Sequence, residues 1–397
     1  HLSEAPLLAA TSLRLNGPVM PLLSCLASLC GGLLADGNIV VTPFVVIMTL
    51  VYAVTVALVA GFTGWLSKSP IWALIAGMAY ALYLPAQLAA TLFLSETPTA
   101  LLLLAVIWAQ VMVLAFERLK KYRHAQVAAV VCGLMVATIA MVKTALLPGV
   151  LLVTLALFVY LPRLQRLIIS SLVLSGAGLV FLSYASCLYT LSGCFELLPS
   201  RDPAMNMAVG CDYEVDAWEC KPMPFITYHG TFQKPLITLS QSIKTSPLGF
   251  CQLTINKALR AWDMPWLSCR RVMFGWPDLL PRIQHTLVVA LAASTIFVTA
   301  CGIRLARFMT CRNLALAGLI VMVMGHFVFV LFESQPRYMF TAMPLLVVLS
   351  CVALARLSIR VFCLLLLFHP IYRFSSLFQV AIDGNTHHAN RLSNCLQ

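Results

Sequence analysis

The sequence predicts an all-α polytopic membrane protein, with about eleven transmembrane helices and one large outer loop subdomain. Two observations carry this. The chain is 61% hydrophobic and 10% charged, against about 25% charged residues in a soluble domain, so there is too little polar surface to clothe a globule. Apolar runs of roughly 18–25 residues also recur along it, the length a helix needs to cross about 30 Å of hydrocarbon. The runs do not alternate apolar with polar, which excludes the strands of a membrane β-barrel.

In chain order the predicted spans are 18–35, 39–62, 71–94, 96–116, 125–142, 145–161, 167–190, 286–303, 313–332, 338–355 and 358–372. Pro85, Pro148 and Pro344 lie in or beside them and are read as kinks, whose freed carbonyls neighbouring helices must satisfy. The pattern breaks between 191 and 283. That stretch holds eight of the fourteen acidic residues and, near its end, Trp262, Trp266 and Trp276. It is too long for a linker, and loops of this length are usually functional. The chain therefore divides into an N-terminal transmembrane region (1–190), a large non-cytoplasmic loop (191–285), a C-terminal transmembrane region (286–373) and a polar tail (374–397).

Charge gives the orientation. The net charge of +12 does not indicate nucleic acid, because the basic residues sit in short loops between spans. "ERLKKYRH" (117–124), "PRLQR" (162–166), "RLARFMTCR" (304–312), Arg356, Arg360 and Lys68 fall on one side, which the positive-inside rule makes cytoplasmic. The long loop and "ESQPR" (333–337) fall on the other. An oxidising outer compartment would permit disulfides among Cys187, Cys194, Cys211, Cys220, Cys251 and Cys269. Their spacing contains no CxxC or CxxH pair, so no zinc site is expected.

Ionisable residues at membrane depth are costly and are functional candidates by default. Lys143, in "ATIAMVKTALLPG", either snorkels to the interface or anchors a lipid phosphate. Glu96, in "SETP", either sits at a helix start with Ser95 as cap or supplies a carboxylate to a site. Arg337 and Tyr338 follow Glu333. An exposed Glu333–Arg337 pair is worth under about 1 kcal/mol, whereas a guanidinium fork suits a phosphate oxygen. A sugar-processing site needs such parts: a carboxylate to activate a hydroxyl or hold a divalent cation, a cation for the phosphate leaving group, and aromatic faces for sugar rings.

Three segments, "NGPVMPLLSCLASLCGG" (16–32), "GMAYALYLPAQLAATLFLSETPTALLLLAV" (77–106) and "PRYMFTAMPLLVVL" (336–349), resemble in order and spacing elements of the GT-C glycosyltransferases, the protein mannosyltransferase-like and aminoarabinose transferase-like enzymes. The resemblance spans roughly residues 10–355. It implies a membrane glycosyltransferase that moves a sugar from a polyprenyl-phosphate donor to a lipid, protein or glycan acceptor. The setting implied is the bacterial inner membrane or the ER membrane. It implies catalytic acids at Glu4 and Glu96, donor-phosphate contacts from Arg337, Tyr338 and Lys143, and an acceptor and sugar loop carrying Asp212, Trp262 and Trp266. In the family the first acid lies in the first outer loop. Glu4 is the acid that precedes residue 36 here; the alternative is an acid on a segment before His1. Counting back from Lys68 puts residues 1–17 inside, whereas the resemblance puts them outside, so either 18–35 does not cross alone or a boundary shifts. A lipid-linked polysaccharide polymerase or ligase shares the large loop and arginines, and a transporter is a further alternative, although no internal repeat is visible.

Overall fold

The computed structural model describes residues 19, 23, 41–91, 95–199, 233–263, 279–302, 310–326 and 336–356. These residues are helical and contain no strand. The helices are α1 (Val41–Ser67), α2 (Pro70–Ala81), α3 (Leu84–Thr91), α4 (Glu96–Arg118), α5 (Tyr122–Val142), α6 (Leu147–Phe158), α7 (Arg163–Ser192), α8 (Gln233–Thr245), α9 (Pro247–Asp263), α10 (Leu279–Gly302), α11 (Cys311–Gly325) and α12 (Met343–Arg356), with 3₁₀ turns at Thr144–Leu146 and Pro336–Thr341. Among the described residues, four segments are long and apolar enough to cross a membrane: Val45–Ser67, Glu96–Arg118, Tyr122–Val142 and Arg163–Ser192. The chain is thus a multi-pass membrane protein by the length and composition of its helices. Eleven separate spans are not what the described residues give. The expected spans 18–35 and 358–372, apart from Val19 and Leu23, and the tail 374–397 lie outside those residues.

Three expected spans are interrupted. The run 71–94 is two helices, α2 and α3, with a break at Leu82–Tyr83 and Pro85 in the first turn of α3, where its missing N–H costs nothing. The run 145–161 opens on a 3₁₀ turn, and so does 338–355. The long loop contributes two amphipathic helices, α8 and α9.

α12 sits at the centre. Residues 339–353 are buried without exception, and α12 packs against α1, α2, α4, α10 and α11. A helix apolar on every side has to be enclosed, and "MPLLVVLSCVALAR" is such a helix. Its few polar atoms bind neighbouring backbone: Ser350 Oγ donates to the Val288 carbonyl at 3.1 Å and Thr295 Oγ1 to that of Leu349 at 3.2 Å. Farther round the bundle, Gln110 Nε2 of α4 donates to Thr154 Oγ1 of α6 at 2.6 Å.

Short turns make α1/α2, α4/α5 and α6/α7 antiparallel hairpins, and α5 and α7 run parallel. The basic turns gather at one end of the bundle. Trp65, near the end of α1, lies 5.7 Å from Trp108 of α4, and Arg312, at the start of α11, stands 5.8 Å over the Trp65 ring. Lys68 and Lys120, just past helix C-termini, take positive φ values of 61° and 57°. Glycine usually fills such positions, and a lysine there costs about 1–2 kcal/mol but keeps a cation beside the negative end of the helix dipole. The opposite end carries the 3₁₀ turns and the long loop; there Gly149 of α6 meets Gly325 of α11 backbone to backbone. The common location of Lys68, Arg118, Lys120, Lys121, Arg123, Arg163, Arg166 and Arg312 at one end is what the reading of the loop charges expected.

Close packing of α5 on α7 depends on two glycines. A Cβ at Gly133 falls 2.1 Å from the Val173 carbonyl oxygen, and one at Gly176 falls 2.4 Å from that of Val130. Small residues let membrane helices approach in this way, because packing rather than the hydrophobic effect joins them. Gly133→Ala and Gly176→Ala are each expected to cost about 1–3 kcal/mol through overpacking, read as a lower melting temperature of the detergent-solubilised protein. Gly178 has open space around it, so Gly178→Ala should be neutral or slightly stabilising; equal losses at all three positions would contradict the assigned contact.

Candidate functional site at the loop end

Glu96 is the first residue of α4, and its side chain is 2% exposed. Ser95 occupies the cap position with helical backbone angles and makes no side-chain cap. Its carbonyl instead accepts from the Thr99 N–H at 3.1 Å and Thr99 Oγ1 at 2.6 Å. Thr99 thus closes the first turn on the Ser95 carbonyl, and the Glu96 carboxylate turns to Lys143. Lys143 Nζ donates to Glu96 Oε1 at 3.0 Å, with the lysine side chain 17% exposed.

The chain positions Lys143 by ending α5 there. Lys143 leaves helical geometry at φ −143°, ψ 80°, and the 3₁₀ turn Thr144–Leu146 redirects the backbone into α6. Thr144 Oγ1 donates to Ala140 O at 3.0 Å and to Pro199 O at 3.1 Å. Pro199 is buried at the start of the long loop, so the ion pair stands where that loop leaves the bundle. Met141, Tyr184 and Leu188 form a small apolar cluster beside it, against which Val19 packs. Val19, of the "NGPVMPLL" segment, therefore reaches this end.

A second polar group was not anticipated. His285, on α10, is fully buried. Its Nε2 donates to the Trp262 carbonyl of α9 at 3.0 Å, and its Nδ1 pairs with the Tyr83 hydroxyl at 2.9 Å. Next to it, Gln284 Nε2 donates to Leu82 O at 3.0 Å, and Gln284 Oε1 accepts the Leu84 N–H at 3.4 Å. One amide thus satisfies both sides of the α2–α3 break. Tyr52 adds a hydroxyl donated to Tyr80 O at 2.6 Å, and Gln87 donates to Ala81 O. α9 also buries Lys257. A third link joins α11 to the turn before α12: His326 Nδ1 donates to Met322 O at 2.8 Å, and its Nε2 lies 2.8 Å from Thr341 Oγ1.

Glu96 and Lys143, expected as separate candidates, are brought together as a pair. The backbone of Arg337 and Tyr338 lies in the 3₁₀ turn Pro336–Thr341, which packs against α4 and α9; their side chains lie outside the described set. Trp262 is half-buried on α9 and packs against the core, with its carbonyl held by His285. Glu4, Asp212, Trp266 and Glu333 lie outside the described residues. Cys187, Cys194 and Cys251 are free thiols; Cys211, Cys220 and Cys269 lie outside. Among the described residues no cluster of three His, Cys, Asp or Glu side chains could hold a metal.

No protein-family model, no curated protein and no solved structure matches this chain.

Chemically, a buried carboxylate beside a half-buried ammonium is a proton acceptor and an anion site held in mutual check. Removing one partner leaves the other charge uncompensated, which costs about 3–5 kcal/mol in a buried pair. Lys143→Met is expected to destabilise in that range, since Glu96 has almost no access to water. Adding Glu96→Gln should recover most of the loss. A double-mutant cycle on thermal unfolding in detergent measures this, and additive losses would mean that the two side chains are not coupled. His285→Phe, which keeps the ring and removes both hydrogen bonds, is expected to free α9; proteolytic cleavage within 233–263 should quicken while the α1–α7 core stays resistant.

Proposed function

We propose that this chain is an integral-membrane glycosyltransferase acting at the loop end of the bundle on a polyprenyl-phosphate-linked sugar. The observation that carries the reading is the Glu96–Lys143 pair, in which an enclosed carboxylate bonds a largely covered ammonium where the long loop begins. The ordered resemblance of three segments to GT-C enzymes supports it. So does the packing of the Arg337-bearing turn against α4 and α9, the helices of Glu96 and Trp262.

The chemistry follows from the pair. The donor is a phosphodiester with one negative charge. On arrival it competes for the Lys143 ammonium, and Glu96 loses its counter-ion. The freed carboxylate takes the proton of the acceptor hydroxyl. The hydroxyl oxygen attacks the anomeric carbon, the bond from that carbon to the phosphate oxygen breaks, and the configuration inverts. The electron pair leaves on polyprenyl phosphate, whose added charge falls to Lys143 and Arg337. Glu4, if it lies in the first outer loop, is the second acid; Tyr338, Asp212, Trp262 and Trp266 are assigned to donor and acceptor contacts.

A transporter is the second reading, and the interrupted α2–α3 helix favours it, since transporters place substrate at such breaks. The break here is filled by Gln284 and His285, which leaves the transferase as the preferred reading.

Transfer is to be measured with a polyprenyl-phosphate donor labelled in the sugar, in membranes containing the overexpressed protein. Glu96→Gln is expected to lower transfer about 100-fold or more, the usual weight of a general base, with normal expression. Arg337→Lys should lower it by losing the fork, and Arg337→Ala further. An Arg337→Ala protein as active as the parent removes the assignment, and uptake of a solute by proteoliposomes without transfer favours the transporter. Asp212→Cys, with native loop cysteines removed, should react with an impermeant thiol reagent on intact cells; protection until the membrane is opened reverses the orientation.

A further inference from the structure

An open cavity of about 460 Å³ runs between α1, α4 and α5. It falls within the size range of lipid and cofactor pockets. On α4 it is lined at Ala105, Ala109, Met112 and Phe116, and on α5 at Val127, Val131 and Met135. Steps of three and four residues put each set on one helix face. Leu58 and Trp108 line it as well, and Trp108 is held by Phe62 at 5.0 Å between ring centres. The alanines leave room where larger side chains would close the gap.

The two ends of this groove differ. One is apolar and lies at mid-bundle. The other is formed by Arg123 and His124, with the His124 ring against Phe116 at 5.4 Å. Arg118, Lys120 and Lys121 stand beside them in the same turn, exposed like Arg123 and His124, and Glu117 is the one carboxylate of "ERLKKYRH". From Ala105 to Phe116 the helix rises about 16 Å. That is close to half of a hydrocarbon core of about 30 Å, so the groove has the depth of one leaflet and opens at the level of its headgroups.

We propose that this groove binds one acyl chain of an anionic glycerophospholipid, with the phosphate held by Arg123 and His124. Lipid is the medium around these spans, and an apolar channel one leaflet deep fits a single chain. The excess of cations at the mouth selects an anionic headgroup and disfavours one with its own ammonium. Arg123 offers the planar fork that phosphate oxygens accept. The groove is at the basic end of the bundle, opposite the Glu96–Lys143 pair, so the proposal does not rest on the transferase reading.

The test uses the full chain reconstituted in nanodiscs of phosphatidylglycerol and phosphatidylcholine in equal amounts, with a trace of either lipid carrying a diazirine in its chain. Labelling by the phosphatidylglycerol probe is expected to exceed that by the phosphatidylcholine probe, with adducts in 105–112 and 128–135. Arg123→Ala should lower that preference about fivefold through the one cation removed, and Arg123→Ala with His124→Ala at least as much. Both residues are exposed, so folding should persist, as size-exclusion chromatography checks. Ala109→Phe fills the groove and should lower labelling with the charges intact. Inorganic phosphate at millimolar concentration should not displace the lipid. Equal labelling by the two probes overturns the proposal, as do adducts spread evenly over every lipid-facing helix, or a preference unchanged in the double variant. Displacement by inorganic phosphate would show a free-anion site and would also overturn it.

Discussion

A backbone interrupted inside a bilayer has to find its hydrogen bonds within the protein, because lipid offers none. That constraint organises the loop end of this molecule. The α2–α3 break exposes carbonyls and an N–H at 81–84, and Gln284 reaches in with both a donor and an acceptor. Tyr52 and Gln87 take the remaining carbonyls. The α5–α6 break is held by Lys143 and Thr144, and the turn before α12 by His326. Gln284 and Thr144 make repairs between segments distant in sequence, so these breaks serve as joints by which α10 and the start of the long loop are fixed to α1–α7. The same end carries the Glu96–Lys143 pair, Trp262 and the backbone of Arg337 and Tyr338.

The helices themselves were largely legible. Long apolar runs predicted α1, α4, α5 and α7 to within a few residues, because length and hydropathy decide membrane helices before packing does. Local chemistry at 82–84 was less legible. Pro85 suggested a kink, but a full break needs partners, and Gln284 and His285 sit just ahead of an apolar run with no motif to mark them. The signal available was that two hydrogen-bonding side chains stand together at the mouth of a span. Glu96 and Lys143 were each visible as ionisable residues at depth, yet nothing in a single sequence joins positions 47 residues apart. Arg337 was singled out by its place between apolar runs, and its backbone does lie beside α4 and α9. For α12 the all-round apolarity was plain, but a lipid-exposed span and an enclosed core helix have the same composition. Only packing separates them.

The distribution of charge sorts the two ends by role. At the basic end, cations sit in exposed turns, and two lysines accept left-handed backbone to stand at helix C-termini. Most of those charges are exposed, with Arg312 standing over Trp65 and Arg166 donating to the Val159 and Leu161 carbonyls. At the loop end, Glu96, His285 and His326 are enclosed and each has a specific partner. Surface charge of the first kind sets orientation and lipid preference; buried charge of the second kind is held at a fixed geometry and can be exchanged for a ligand of the same sign.

The enclosure of α12 has a consequence for biogenesis. It is the last of the described helices to leave the ribosome, yet it fills the space that α1, α2 and α4 surround. Those earlier helices can pack on one another as they are made, but the faces they turn to α12 stay uncovered until residues 343–356 arrive. Assembly of the bundle is therefore post-insertional. A chain stopped before Met343 keeps the four long apolar helices of residues 45–192 but lacks the helix that α1, α2 and α4 enclose, and membrane quality control would meet an inserted bundle with no keystone.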